Sequence, residues 1–333
     1  MNDFSFNILQ KCEFGMGALK KLPDILKACG SDNVMLISDR GLEAIGGGSP
    51  MDVAKAAGIV AKFGGSITDY EGGGKIPGDI DPLIAIPTTA GTGSEVTVFT
   101  VITDESRNYK LTAFGPQISP KYAVLDPELI MTAPPSIAAA CGIDAFIHAM
   151  EAYINTAATP FTDAMGEKAM ELIGKYIRRF VANRQDKEAA CAMMAASTFA
   201  GVAFAFARLG NIHAMSHPVS AYFHVAHGVA NAVLMPTILE YNALADHGRY
   251  AKIYEYVTGV KADECFEPLD LVDAIRELNN DIGIPACLAD VGVTEDKIPV
   301  MAIDAMKSGN VLVNPRATTL KDIEMLYKKA MYV

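Results

Sequence analysis

The hydrophobic pattern of this chain changes period near residue 134. Before that point, short apolar runs are separated by glycine-rich turns. Val34-Met35-Leu36-Ile37-Ser38, Leu83-Ile84-Ala85-Ile86-Pro87, the run from Val96 to Thr103 and Tyr122 to Pro127 read as strands of a layered α/β domain. After Pro134-Pro135 the spacing turns helical and the residues become rich in alanine and methionine. It predicts helices from Ile137 to Tyr153, Phe161 to Asn183, Lys187 to Leu209, Leu269 to Ile282 and Leu320 to Met331. The expectation is an α/β domain over 1–134 followed by an all-helical domain over 135–333. A chain of 333 residues also exceeds what one compact core usually serves. No internal repeat is evident.

One stretch conflicts with strand geometry. The strand ending at Ser38-Asp39 and the turn at Gly46-Gly47-Gly48-Ser49 both belong at carboxyl ends of parallel strands. Parallel neighbours need a crossover of about a dozen residues or more, and only Arg40 to Ile45 lie between them. A segment is therefore expected to be missing around Glu43-Ala44.

Composition narrows the function classes. Half the residues are hydrophobic, 20% are charged and no tract is of low complexity, as in a folded globular protein. A formal net charge of -11 disfavours nucleic acid and anionic membranes as partners, since both require a basic face. The six cysteines form no Cys-x-x-Cys pair, which argues against a zinc ribbon or a thioredoxin-like site and for reduced thiols. The N-terminus lacks the basic and apolar regions of a signal peptide. The most apolar stretch, 195–207, reads as a buried helix too short to span a bilayer. A cytoplasmic location is expected.

Two nucleotide-type features follow strands. Gly46-Gly47-Gly48-Ser49-Pro50-Met51-Asp52-Val53-Ala54-Lys55 reads as a glycine turn opening a helix, where free amides and the positive helix end receive a pyrophosphate. A glycine loop that merely caps a helix is an equal alternative on this motif alone. Asp39, directly after a strand, suits the adenine-ribose hydroxyls and repels a 2′-phosphate, favouring NAD over NADP; an ordinary turn aspartate is the bland alternative. Pro87-Thr88-Thr89-Ala90-Gly91-Thr92-Gly93-Ser94-Glu95 sets four hydroxyls after a strand, where open α/β sheets bind ligands. Buried hydroxyls need partners, and a ribose or phosphate would supply them.

Metal-type features lie in the helical half. Asp144 and His148 stand four apart on one helix face, and His213 and His217 repeat that spacing. Four of the six histidines (His213, His217, His224, His227) fall within fifteen residues. Spacing alone nominates His213 with His217. His213 and His227 would lie about 21 Å apart on an unbroken helix, so they share an ion only if the chain doubles back. Pro218 and Gly228 are the available breakers. The residues alone leave the choice among these histidines open.

In this order, GGGSPMDVAK, PTTAGTGSE, DPELI, GIDAFIHAMEAY and NIHAMSHPVSAYFHVAHGVANA resemble the iron-containing (group III) alcohol dehydrogenases along essentially the whole chain. The resemblance implies a Rossmann-like N-terminal domain with a parallel sheet and an all-helical C-terminal domain, a dehydroquinate-synthase-like architecture. A divalent metal would lie in the cleft between them. By motif position it implies Asp144, His148, His213 and His227 as ligands, with His217 facing substrate. Gly47, Gly48 and Ser49 would hold the pyrophosphate and Asp39 the ribose. Thr88, Thr89, Thr92 and Lys110 would lie along the nicotinamide half, Lys110 by the loosest match. Members of the family carry on the order of fifty further residues near Gly41 to Gly48, enough for more than one βαβ unit.

The implied chemistry is metal-assisted hydride transfer between NAD(H) and a small alcohol or aldehyde. Three imidazoles and a carboxylate suit Fe2+ first and Zn2+ second. His217 is the candidate proton relay on its near-neutral reference pKa. Phe204, nine residues before His213 and read as lying on its helix, is the candidate wall of a pocket for short alcohols, diols and aldehydes. A homodimer or higher homo-oligomer is expected. A polyol dehydrogenase or dehydroquinate-synthase-like enzyme is the alternative, although the latter needs a basic cleft and the site motifs are poor in Arg and Lys. A non-catalytic metal- or nucleotide-binding protein is the reading from a different class.

Overall fold

The computed structural model describes residues 5–30, 33–38 and 48–332. Its N-terminal half contains β1 (Lys11–Phe14), α1 (Leu22–Cys29), α2 (Gly48–Phe63), β2 (Gly72–Gly73), β3 (Ile84–Ala85), β4 (Phe99–Asp104), β5 (Tyr109–Phe114) and β6 (Tyr122–Leu125). A short α3 (Pro127–Ile130) leads into α4 (Pro135–Ile154), α5 (Pro160–Ala182), α6 (Lys187–Ala207), α7 (Asn211–Phe223) and α8 (His227–Asn242). The chain ends with α9 (Arg249–Thr258), α10 (Pro268–Asp281), α11 (Ile298–Ala305) and α12 (Leu320–Ala330).

One sheet is parallel, in the order β1-β6-β3, with Lys11 beside Tyr122 and Ile84 beside Tyr122 on the other edge. The other has the order β2-β5-β4, with β4 and β5 an antiparallel hairpin. The helical half matches its predicted elements closely. Its centre is α4, buried on nearly every side against α5, α6 and α8. An all-round apolar helix has no face suited to water and must be enclosed. By length and composition both α4 and α6, which extends the apolar stretch 195–207 back to Lys187, could cross a membrane. Their apolar windows are 83% and 67% buried inside the fold, as core helices are.

The sheet departs from expectation in several places. Val34, Met35 and Leu36 form no strand and are 62%, 81% and 68% exposed. Among the described residues no strand runs beside them, so the segment has neither a ladder nor a covering layer. The strand expected from Val96 begins at Phe99, after a single 3-10 turn, Ser94–Val96. The end of the run from Tyr122 to Pro127 is a helix start instead, because the Asp126 carboxylate caps the Glu128 amide. Asp39, Gly47 and the Glu43-Ala44 junction lie outside the described residues.

Candidate metal centre and nucleotide cleft

Asp144, His148, His213 and His227 each turn a donor atom toward one point, and those atoms lie within 4.8 Å of one another. Helix α4 supplies Asp144 and His148 from adjacent turns of one face. Helix α7 supplies His213, and His227 opens α8. The required reversal is present, but neither expected breaker makes it. Pro218 sits inside α7 and Gly228 inside α8. The turn is made by His224, whose left-handed φ of 56° closes α7 by returning its amide to the Ser220 carbonyl.

Gly228 fixes how near α8 comes to α4. A Cβ there would stand 2.0 Å from the Ala140 carbonyl oxygen and 3.2 Å from the Asp144 Cβ. Gly228→Ala should therefore lever His227 off the cluster, destabilise the fold by about 1–3 kcal/mol and weaken metal binding. A thermal melt with a metal titration checks this, and wild-type values in both would refute it.

The surroundings orient the rings. Glu151, one turn beyond His148, accepts the Ile212 amide at 2.7 Å and pairs with His213 Nδ1 at 2.6 Å. This leaves His213 Nε2 facing Asp144 at 3.7 Å. His148 Nδ1 lies 3.3 Å from the Gly91 carbonyl and 4.0 Å from Asp144 Oδ2. Sequence reasoning missed Glu151, although its place three residues after His148 and seven after Asp144 puts it on the same helix face. Asn231 was also missed; its Nδ2 lies 2.7 Å from Asp144 Oδ1 and 3.0 and 3.2 Å from the Nε2 atoms of His213 and His227.

The electrostatics suit a cation. Burial opposes the charge on Asp144, but His148, His227 and His213 hold its carboxyl well below the usual range. Burial pushes His148 down to about 4 and His227 down to about 3 against the pull of Asp144, so both rest as neutral imidazoles, the ligating form. His213 is the exception: burial again opposes protonation, yet Asp144 and Glu151 on either side raise it to about 9. Three imidazoles and one carboxylate, nearly all enclosed, form a donor set that fits Fe2+ or Zn2+. His227 Nδ1 has no hydrogen-bond partner among the described residues.

His217 lies beside the cluster, its ring centroid 5.3 Å from that of His227 and 6.4 Å from that of His213. Its pKa is not near neutrality as expected from the reference value: burial, with His227, His213 and Lys110 adding to it, lowers it well below the ordinary value. Phe204 requires a correction too. It sits on α6, not on the helix of His213; α6 ends at Ala207 and Arg208 turns the chain with φ 67°. Its ring nevertheless stacks on His148, with centroids 4.5 Å apart.

On the nucleotide side, Gly48 opens α2 so close to the threonine loop that a Cβ would meet the Thr92 side chain at 2.4 Å. Ser49 is exposed at that helix start. Thr88 is buried, and its hydroxyl has no partner among the described residues. Thr89 bonds the Cys141 thiol, and the Thr92 hydroxyl accepts the Ser94 amide at 3.3 Å. Ser94 is fully engaged within the protein, so the expectation that a ligand partners all four hydroxyls narrows to Thr88, Thr89 and Thr92. Lys110 lies on β5, its Nζ 2.7 Å from the Thr103 hydroxyl, and its charge reaches His217 and His227. The sequence placed it on an uncertain stretch; the β4–β5 hairpin brings it to the cleft.

Residues 138–331 match the family model described as Fe-containing alcohol dehydrogenase family, C-terminal, and residues 41–127 that of iron-containing alcohol dehydrogenase. The chain is 41% identical over 294 residues to the NAD-dependent methanol dehydrogenase of Bacillus methanolicus, covering 87% of this chain and 77% of that one. It is 39% identical over 290 residues to the 1,3-propanediol dehydrogenase of Klebsiella pneumoniae, covering 86% and 74%. A crystal structure of a 1,3-propanediol oxidoreductase superposes with a TM-score of 0.93 at 31% identity, over 99% of this chain and 100% of that one.

Proposed function

Because the chain belongs to the iron-containing alcohol dehydrogenase family, we propose that it interconverts short-chain alcohols or diols with their aldehydes, using NAD and a divalent cation. The observation that carries this reading is the contact between the two halves of the cleft. The Gly91 carbonyl of the threonine loop touches His148 of the four-donor cluster, so a nicotinamide on that loop faces the cluster. Residues 1–134 serve as the dinucleotide domain and 135–333 as the metal and catalytic domain. The names of the relatives, which act on methanol, 1,3-propanediol and lactaldehyde, support the small-substrate class.

Asp144, His148, His213 and His227 hold the cation, Fe2+ first and Zn2+ second. When bound, the cation supplies Lewis acidity and the nicotinamide accepts or donates hydride. Gly47, Gly48 and Ser49 receive the pyrophosphate, and Asp39 the ribose, which favours NAD over NADP. Thr88, Thr89, Thr92 and Lys110 orient the nicotinamide half, while Phe204, stacked on His148, walls the substrate and keeps water from it. His217 rests neutral, so an imidazole nitrogen is free to take the hydroxyl proton of the substrate and pass it outward. The enzyme is read as cytoplasmic and as a homodimer or larger assembly.

The test is anaerobic purification with metal analysis, then a panel of alcohols and aldehydes with NAD and NADP. NADH formation that disappears with chelation and returns with Fe2+ or Zn2+ is expected; no turnover by the metal-replete protein would overturn the reading. His217→Ala should lower turnover about 100-fold with metal content unchanged. Loss of metal in that variant would make His217 a ligand instead.

A further inference from the structure

Lys55, on the second turn of α2, is wholly buried, and its ion pair with Asp52 is long, at 4.0 Å. Its ammonium is instead held by oxygens of a single segment of chain. Nζ lies 2.7 Å from the Ser94 carbonyl, 2.9 Å from the Ser94 hydroxyl, 2.8 Å from the Phe99 carbonyl, and 3.1 and 3.2 Å from the carbonyl and hydroxyl of Thr97. Three N–H donors thus meet five acceptors, and none is wasted. Asp52, one turn earlier, completes the grip. Its carboxylate accepts the Ser94 hydroxyl at 2.6 Å and the Val101 amide at 2.9 Å, and its carbonyl accepts the Thr100 hydroxyl at 2.7 Å.

Burying an ammonium is unfavourable, and a well-packed apolar residue of similar volume usually serves stability as well or better. Burial does push the Lys55 ammonium down to about 8, with Asp52 and Glu95 opposing the shift. What the ion provides is direction: it fixes the stretch 94–99, which leaves the threonine loop, against the helix whose first turn holds Gly48 and Ser49.

We propose that Lys55, with Asp52, is a positioning residue that sets the spacing between the pyrophosphate-binding helix start and the nicotinamide-side loop, so that one intact dinucleotide engages both at once. The inference rests on the nucleotide reading above. Its signature is specific. A tethered ligand gains from two correctly spaced half-sites, whereas separate halves do not. Loss of Lys55 should therefore weaken NADH binding more than that of ADP-ribose or reduced nicotinamide mononucleotide.

The experiment measures all three ligands by calorimetry on metal-loaded wild type, Lys55→Met and Ser94→Ala, below the melting temperature of each. The expected result is a loss of about 10- to 100-fold for NADH, with each half-ligand changed less than threefold and metal content intact. Ser94→Ala removes the hydroxyl shared by Lys55 and Asp52, and carries the test if Lys55→Met does not fold. Equal losses for NADH and for either half, or no loss, would overturn the spacing role while leaving nucleotide binding in place. Failure of the wild type to bind NADH would overturn the nucleotide reading itself, and this inference with it.

Discussion

Asp144→Asn should abolish metal retention through dialysis and lower alcohol oxidation by at least about 1,000-fold, since Lewis-acid stabilisation is worth several kcal/mol. The substitution keeps the shape of the side chain and removes only its charge. Among the described residues Asp144 is the carboxylate that faces the Nε2 atoms of His213 and His227, at 3.7 and 3.9 Å. It is buried, so water cannot replace its charge. The neutral amide would leave three imidazoles to hold a dication in a low-dielectric site. Metal analysis beside a turnover assay decides the matter. Stoichiometric metal with near-native turnover would show that the catalytic ion is held elsewhere.

The pairing of Asp144 with His148 was legible because both sit on one helix, where a four-residue step is a fixed geometry. The pairing of His213 with His227 was not, because it depends on a turn made at His224 in a left-handed conformation that the sequence marks only weakly. Motif resemblance nominated the histidines that the structure gathers around Asp144, a grouping that spacing could not supply. Phe204 shows the reverse. It was expected on the helix of His213 and lies on α6, stacked on His148, because an alanine-rich run gives no sign that Arg208 turns the chain.

The helices of the second half were legible because a buried helix carries its own hydrogen bonds, and its apolar residues declare it. The strands were legible only where a partner exists. Val34 to Leu36 have the composition of a buried strand yet remain exposed, since a strand is completed by neighbours from elsewhere in the sequence. The β4–β5 hairpin was hidden for a related reason: the polar run from Glu105 to Asn108 looks like a loop, and the pairing beyond it places Lys110 in the cleft.

Glu151→Gln should weaken metal binding by about 10- to 100-fold, the usual effect of losing the partner that orients a ligating histidine. Glu151 never faces the donor cluster directly. It acts on His213 by accepting from Nδ1 at 2.6 Å, and on the start of α7 by accepting the Ile212 amide at 2.7 Å. The first contact fixes which ring nitrogen is free, and the second fixes where the helix begins. Glutamine preserves one acceptor oxygen, so one of the two donors keeps a good partner and the helix start survives. The other donor then meets an amide N–H2, and His213 loses the charge that makes its Nε2 a stronger ligand. Glu151→Ala removes both contacts and adds a destabilisation of about 1–3 kcal/mol from the unpaired buried donors. The two variants therefore separate orientation from folding: the glutamine protein should melt within a few degrees of wild type and still bind Co2+ or Zn2+ poorly. Unchanged metal affinity in Glu151→Gln would mean that helix packing alone orients His213, and that the carboxylate serves only the start of α7.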